Sequence, residues 1–142
     1  MNLAFFLTPK SEIVWVPMRA TVRQALERME KHRYSAVPVL DDDGLYVGTL
    51  NEGDILWRMR AMPDFTWSLA DRLTLSDIPR RLEVKPVGVH VEIEELLNRA
   101  VDQNFVPVVD SRGVFMGIVT RRSLIEYCAK KLQIQAALGE DG

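Results

Sequence analysis

One cysteine, Cys128, stands among 142 residues, so no disulfide can form within the chain. A lone thiol suits a reducing compartment. Cys128 reads as a small buried side chain on a helix. Histidine is almost as scarce. His32 and His90 are isolated, with no partner at ligand spacing, and give no metal site. No apolar run approaches the ~18 residues needed to span a bilayer. The apolar opening from Met1 to Leu7 lacks a basic stretch and is too short for a secretory leader. Charge of one sign is missing as well. Lys and Arg number 18 against 20 Asp and Glu, a formal net charge of -2, which argues against a general nucleic-acid binder. The expectation is a cytoplasmic protein that binds neither nucleic acid nor membrane. Catalytic signatures are also lacking. There is no G-x-S-x-G, H-E-x-x-H, Walker loop or Cys–His pair, so the chain is not expected to be an enzyme or to carry a catalytic cofactor.

What is present is a core-forming composition, with 47% hydrophobic and 27% charged residues. The length fits one compact unit or two tightly packed halves. The chain repeats itself at an offset of 69. Val37-Pro38-Val39-Leu40-Asp41 lies over Val106-Pro107-Val108-Val109-Asp110. The same offset pairs Gly44 with Gly113, Gly48 with Gly117, Asn51 with Thr120, and Ile55-Leu56 with Leu124-Ile125.

In the first copy Ile13 to Val16 reads as a short buried strand. Thr21 is a candidate N-cap, followed at helical spacing by Val22, Ala25, Leu26 and Met29. Ala36 to Leu40 is a second strand, and Pro38 inside it points to an edge or irregular position. Asp41 to Gly44 is a turn, Leu45 to Leu50 the returning strand, and a helix begins near Asn51. The second copy repeats the order: extended Val87 to Val91, a helix with Ile93, Leu96, Leu97 and Ala100 on one face, then a hairpin turning at Asp110 to Gly113. A long helix starts after Thr120 and carries Leu124, Ile125, Cys128 and Leu132. Between helix and hairpin the second copy is two residues shorter. Ala61 to Arg72, with Phe65 and Trp67, is a linker expected to pack on the module. The end, Gly139 to Gly142, is expected to fray.

The doubled unit, with its V-P-V-x-D turn and G-h-h-[T/S]-x-x-D ending (h, apolar), resembles the CBS motif. Two in tandem resemble a CBS pair, or Bateman module, from about Phe5 to Lys131. Leu7-Thr8-Pro9-Lys10 resembles the M-T-P segment that opens such motifs, and Leu75 to Arg80 resembles it more loosely. The implied fold is α/β (α+β): two pseudo-symmetric motifs, each strand-helix-strand-strand-helix, packed as one pair. Residues 5–60 would form motif 1, 61–72 the linker, 73–131 motif 2, and 132–142 the helix end and tail. Leu75 to Arg80 and Gly117 to Arg122 are also similar to small stand-alone bacterial CBS-pair proteins, some of which bind cyclic di-AMP and signal to a partner.

The resemblance implies two clefts. The first would join Thr8 to Val16, with Val14 against the base, and Tyr34-Ser35-Ala36 to Ile118, Thr120, Arg121, Arg122 and Ser123. A strand-to-helix turn with free N–H groups and two guanidinium groups suits a phosphate. The family's usual Asp is replaced by Ser123, a departure that puts AMP-style ribose recognition there in doubt and that cyclic di-AMP receptors can share. The second cleft would join Val87 to Val89, Asn104 and Phe105 to Leu50, Asn51, Glu52, Gly53 and Asp54, with Asp54 as ribose acceptor. Asn51 stands there for the usual Thr or Ser, and Glu52 brings negative charge. Plainer readings stay open. Asn51 with Asp54, and Thr120 with Ser123, have the spacing of helix caps. Arg121-Arg122 also fits a solvated helix turn, Arg80-Arg81 a surface or linker anchor, and Trp15, Trp57 and Trp67 core or dimer contacts.

The implied function is a regulatory sensor of an adenine nucleotide (AMP, ADP, ATP or cyclic di-AMP) that signals to an unknown protein partner. The alternative is a dimerisation or interaction module without a ligand. A homodimer is expected in either case, through Ile55, Leu56 and Met59 with Leu124, Ile125 and Cys128.

Overall fold

The computed structural model describes residues 3–79 and 84–140. In chain order they form β1 (Leu7–Pro9), β2 (Val16–Pro17), α1 (Val22–His32), β3 (Ala36–Leu40), β4 (Tyr46–Asn51) and α2 (Glu52–Ala61). Then follow α3 (Ile93–Ala100), β5 (Phe105–Val109), β6 (Phe115–Thr120) and α4 (Arg121–Glu140). The strands make two three-stranded sheets, β2-β3-β4 and β1-β6-β5. The expected α/β pair of repeats is the fold of the chain.

Local chemistry sets most of these elements. Thr21 Oγ1 accepts from the Gln24 N–H at 3.1 Å, and Gln24 Oε1 accepts from the Thr21 N–H at 3.0 Å, a reciprocal cap on α1. Val22, Ala25 and Met29 then bury one face of that helix. α1 ends with Arg33 in the left-handed region at φ 57, and the Tyr34 N–H returns to the Met29 carbonyl. The hairpin turns are copies of each other. Asp41 Oδ1 accepts from Asp43 and Leu45, and Asp110 Oδ1 from Arg112 and Val114. The Val114 N–H, with help from Arg112, holds the Asp110 carboxyl below its ordinary range. Gly44 and Gly113 close the two turns at φ 81 and 86, where a side chain would be strained.

Five expectations need correction. Ile13 to Trp15 are not strand, and only Val16–Pro17 pair, parallel to Val39 and Leu40. Likewise Val87 makes a single parallel bridge to Val108, and Val89 and His90 lie in a turn. In the second repeat the chain turns after Val87, where the Val91 N–H donates to the Gly88 carbonyl. In the first, β2 extended toward Ile13 would run beside Pro38, which has no N–H to give. For the same reason Pro38 sits in the central strand β3 and not at an edge, because two-residue β2 stops short of it. The shortening of the second repeat falls in the helix: α3 has 8 residues where α1 has 11. Finally, α4 continues to Glu140, because nothing from Ala129 to Leu138 breaks a helix. Asp141 and Gly142 lie outside the described residues.

The two cores are built by exchange. Leu3 and Phe6, before β1, pack with Val87, Leu96, Val106, Val119 and Leu124 of the second repeat. Leu75 and Ile78, which lead into the second repeat, pack with Val16, Val37, Leu50 and Ile55 of the first. Backbone bonds hold the exchange: β1 pairs with β6, and Val22 and Leu75 bond to Leu73 and Ala20. The linker packs as expected, with Ala70 fully buried and Phe65 against the first core. Trp67 is the exception. It is 66% exposed and meets Phe65 edge to face. Across the pseudo-twofold axis the hairpin turns touch, through Tyr46 N–H to Gly113, Phe115 N–H to Gly44, and a stack of Tyr46 on Phe115. Among the described residues no helix is long and apolar enough to cross a membrane.

Candidate functional site

Between the repeats lies a cavity of about 560 Å³. Ala36, Thr49 and Asn51 line it from the first repeat, and Val84, Asp102, Gln103, Asn104 and Phe105 from the second. β3 and β4 run antiparallel there, with Ala36 opposite Asn51, so their ends form one wall. The connection from α3 to β5 forms the other. The lining is amide, hydroxyl and one aromatic ring, with a single carboxylate and no cation among the described residues. Such a lining suits a flat, neutral, hydrogen-bonding group better than a bare phosphate.

The expected second cleft is thus partly assembled. Asn51, Asn104 and Phe105 meet in the cavity. Leu50 is buried in the first core, and Val87 opens onto a different groove with Val89 and His90. Asp54 is 3% exposed, and its Oδ2 accepts from the Asn51 N–H at 2.9 Å. It caps α2 and is not one of the lining residues.

The expected first cleft is more dispersed. Ala36 belongs to the inter-repeat cavity, while Tyr34 and Ser35 face a charged groove with Glu52, Trp67 and Asp71. Val14 packs against the first core. Ile118 pairs with Thr8 across β6 and β1. Thr120 and Ser123 cap α4: the Ser123 N–H reaches Thr120 Oγ1 at 3.1 Å, and Ser123 Oγ donates to the Thr120 carbonyl at 2.9 Å. The arginines do not converge on a phosphate position. The Arg121 Nε donates to the carbonyls of Ala100 at 2.7 Å and Gln103 at 3.1 Å. Arg122 is 88% exposed and pairs with Glu126 at 3.0 Å on its own helix. Carbonyls at the end of a helix compete well for a guanidinium, which the sequence pattern alone does not reveal. The Arg80-Arg81 anchor lies outside the described residues. Among the described residues no three His, Cys, Asp or Glu side chains come together as for a metal ion.

Four lining residues, Thr49, Val84, Asp102 and Gln103, went unnamed in the sequence, although the repeat points to Thr49 and Gln103. At the offset of 69, Gln103 is the counterpart of Tyr34 and Thr49 of Ile118. Thr49 Oγ1 shares a hydrogen bond of 2.7 Å with the Tyr46 hydroxyl.

The family model of the CBS domain matches residues 7–61 and 75–130. An inosine-5'-monophosphate dehydrogenase of Halalkalibacterium halodurans is 30% identical over 121 residues, 84% of this chain and 21% of that protein. The chain therefore spans about a fifth of that relative's length. Among solved structures, a CBS domain protein of Streptococcus pneumoniae aligns with TM-score 0.82 and 28% identity, over 91% of this chain and 87% of that one. The CbpB protein of Listeria monocytogenes in complex with c-di-AMP aligns with TM-score 0.82 and 24% identity, over 93% and 98%.

Proposed function

We propose, from the premise that the chain belongs to the CBS domain family, that it is a regulatory sensor whose inter-repeat cavity takes the adenosine part of an adenine nucleotide. The observation that carries this reading is the cavity itself. Its volume of about 560 Å³ falls in the range of small-molecule sites. Its walls come from both repeats, so a ligand in it would bridge them. Ala36 leaves space for a flat ring, Phe105 offers a face to stack on, and Asn51, Gln103 and Asn104 supply hydrogen-bonding amides. The Listeria relative, captured with c-di-AMP, supports a dinucleotide as readily as a mononucleotide. Signalling would pass to a protein partner through the surface that the two repeats share.

The test is a thermal-shift panel of AMP, ADP, ATP, cyclic di-AMP and S-adenosylmethionine. A ligand present at 100 times its Kd adds about 2.7 kcal/mol of stability. At least one adenine nucleotide is expected to raise Tm by several degrees. If none of the five moves Tm, the sensor reading falls.

A second reading rests on the arginines. With Arg121 engaged on carbonyls and Arg122 paired to Glu126, the pair would act as an interaction module without a ligand. The same panel decides between the two readings.

A further inference from the structure

We propose that Arg121 is the positioning residue of the inter-repeat cavity, holding the turn that carries Asp102, Gln103 and Asn104 and tying that turn to the start of α4. This inference rests on the cavity reading above and adds how the site is held and read out. The second repeat closes its first helix unlike the first repeat. α1 ends on a left-handed residue, Arg33, with the Tyr34 N–H turned back to Met29. α3 has no such residue: Val101 stays helical at φ -59. The carbonyls left over are taken from outside. The Arg121 guanidinium donates to Ala100 at 2.7 Å, Gln103 at 3.1 Å and Val101 at 3.5 Å, and its backbone N–H donates to Asn104 at 2.8 Å. One residue thus binds every member of the turn that flanks the cavity lining, save Asp102.

The repeat provides an internal comparison. The counterpart of Arg121 at the offset of 69 is Glu52. Its backbone N–H makes the same bond, to Ser35 at 2.9 Å. Its carboxylate has no N–H to donate to helix carbonyls, and α1 does not need one. The arginine therefore serves the second repeat alone, whose turn lines the cavity. Because Arg121 is also the first residue of α4, a ligand that orders residues 102–105 would order the first turn of α4 with them. In the free protein, loss of the guanidinium would release the turn from the helix.

The experiment uses the full chain as wild type, Arg121→Ala and Arg121→Lys, with Lys130→Ala as a control at an exposed position of α4. Amide hydrogen exchange is measured without ligand and with cyclic di-AMP or AMP, and affinity is measured by calorimetry. In Arg121→Ala without ligand, amides 102–104 are expected to exchange at least ~10 times faster, while Val106 and Val108 in β5 keep their protection. Affinity is expected to fall ~10-fold or more. Bound nucleotide is expected to protect residues 121–124 in wild type but not in this variant. Arg121→Lys keeps the charge but lacks the fork, and is expected to lie between the two. If Arg121→Ala does not fold, Arg121→Lys carries the test against the same readouts. Unchanged exchange of 102–104 overturns the proposal, as does wild-type affinity in the variant. If wild type binds neither AMP nor cyclic di-AMP, the five-ligand panel decides the sensor reading, and the ligand-free exchange alone decides whether Arg121 positions the turn.

Discussion

Asp54, which the motif implied as a ribose acceptor, is a helix cap in this fold. It is buried to 3% exposure and accepts the Asn51 N–H at the start of α2. Asp54→Ala should therefore cost about 1–2 kcal/mol of stability, the scale of a lost helix cap. Urea denaturation would show this as a lower midpoint at unchanged slope. Affinity for any nucleotide found in the panel should stay within about twofold. A large loss of affinity with stability intact would return Asp54 to the ligand site. The contrast with Arg122 is useful. At 88% exposure, its pair with Glu126 is a surface contact whose removal should change stability by less than about 0.5 kcal/mol.

At the level of elements, the critical joint is β1 on β6. Gly117 has φ +155, and a Cβ added there would lie 2.2 Å from the Thr8 carbonyl oxygen and 3.0 Å from Pro9 Cα. Both contacts are backbone, so neither yields by a rotamer change. Gly117→Ala should force β1 off β6 and uncover Leu3 and Phe6, which lie in the second core. The expected cost is about 2 kcal/mol or more, at the upper end of overpacking. Limited proteolysis should then cut near the start of the chain, where wild type resists. A variant as stable and as resistant as wild type would show that the lead-in contributes little. Such a joint is how a three-residue strand comes to matter: it closes the edge of one sheet while carrying two core side chains with it.

For the whole molecule, the exposed apolar surface bears on assembly. Ile55 and Leu124, expected on an outer face, are buried at 2% and 0% exposure. On α2 and the first turns of α4 the large apolar residues left outside are Leu56, Trp57 and Ile125, at 56%, 43% and 59%. Leu132 and Ile134 extend the exposed apolar surface along α4. A twofold contact through α2 and α4 would cover them with the same residues of a second copy. The expected result is a dimer mass by light scattering at tens of micromolar. Leu56→Lys with Ile125→Lys should give a folded monomer. A wild-type monomer mass at that concentration would end the dimer proposal.

Features whose physics is local are legible in the chain's own residues. The two turns follow from Asp41 and Asp110 bonding N–H groups two and four residues on, closed by Gly44 and Gly113. The α1 cap follows from Thr21 and Gln24, three residues apart. The offset of 69 made both repeats visible because each repeat needs the same turns and caps. Even the overlooked Gln103 and Thr49 were written there, as counterparts of residues already singled out. The rest depends on contacts between segments far apart in the chain. Arg121 finds its carbonyls about twenty residues away, Gly117 meets Thr8 across the chain, and each half completes its core with the other's lead-in. Those choices depend on which distant surfaces are already in place, and a pattern of neighbours along the chain carries no record of them.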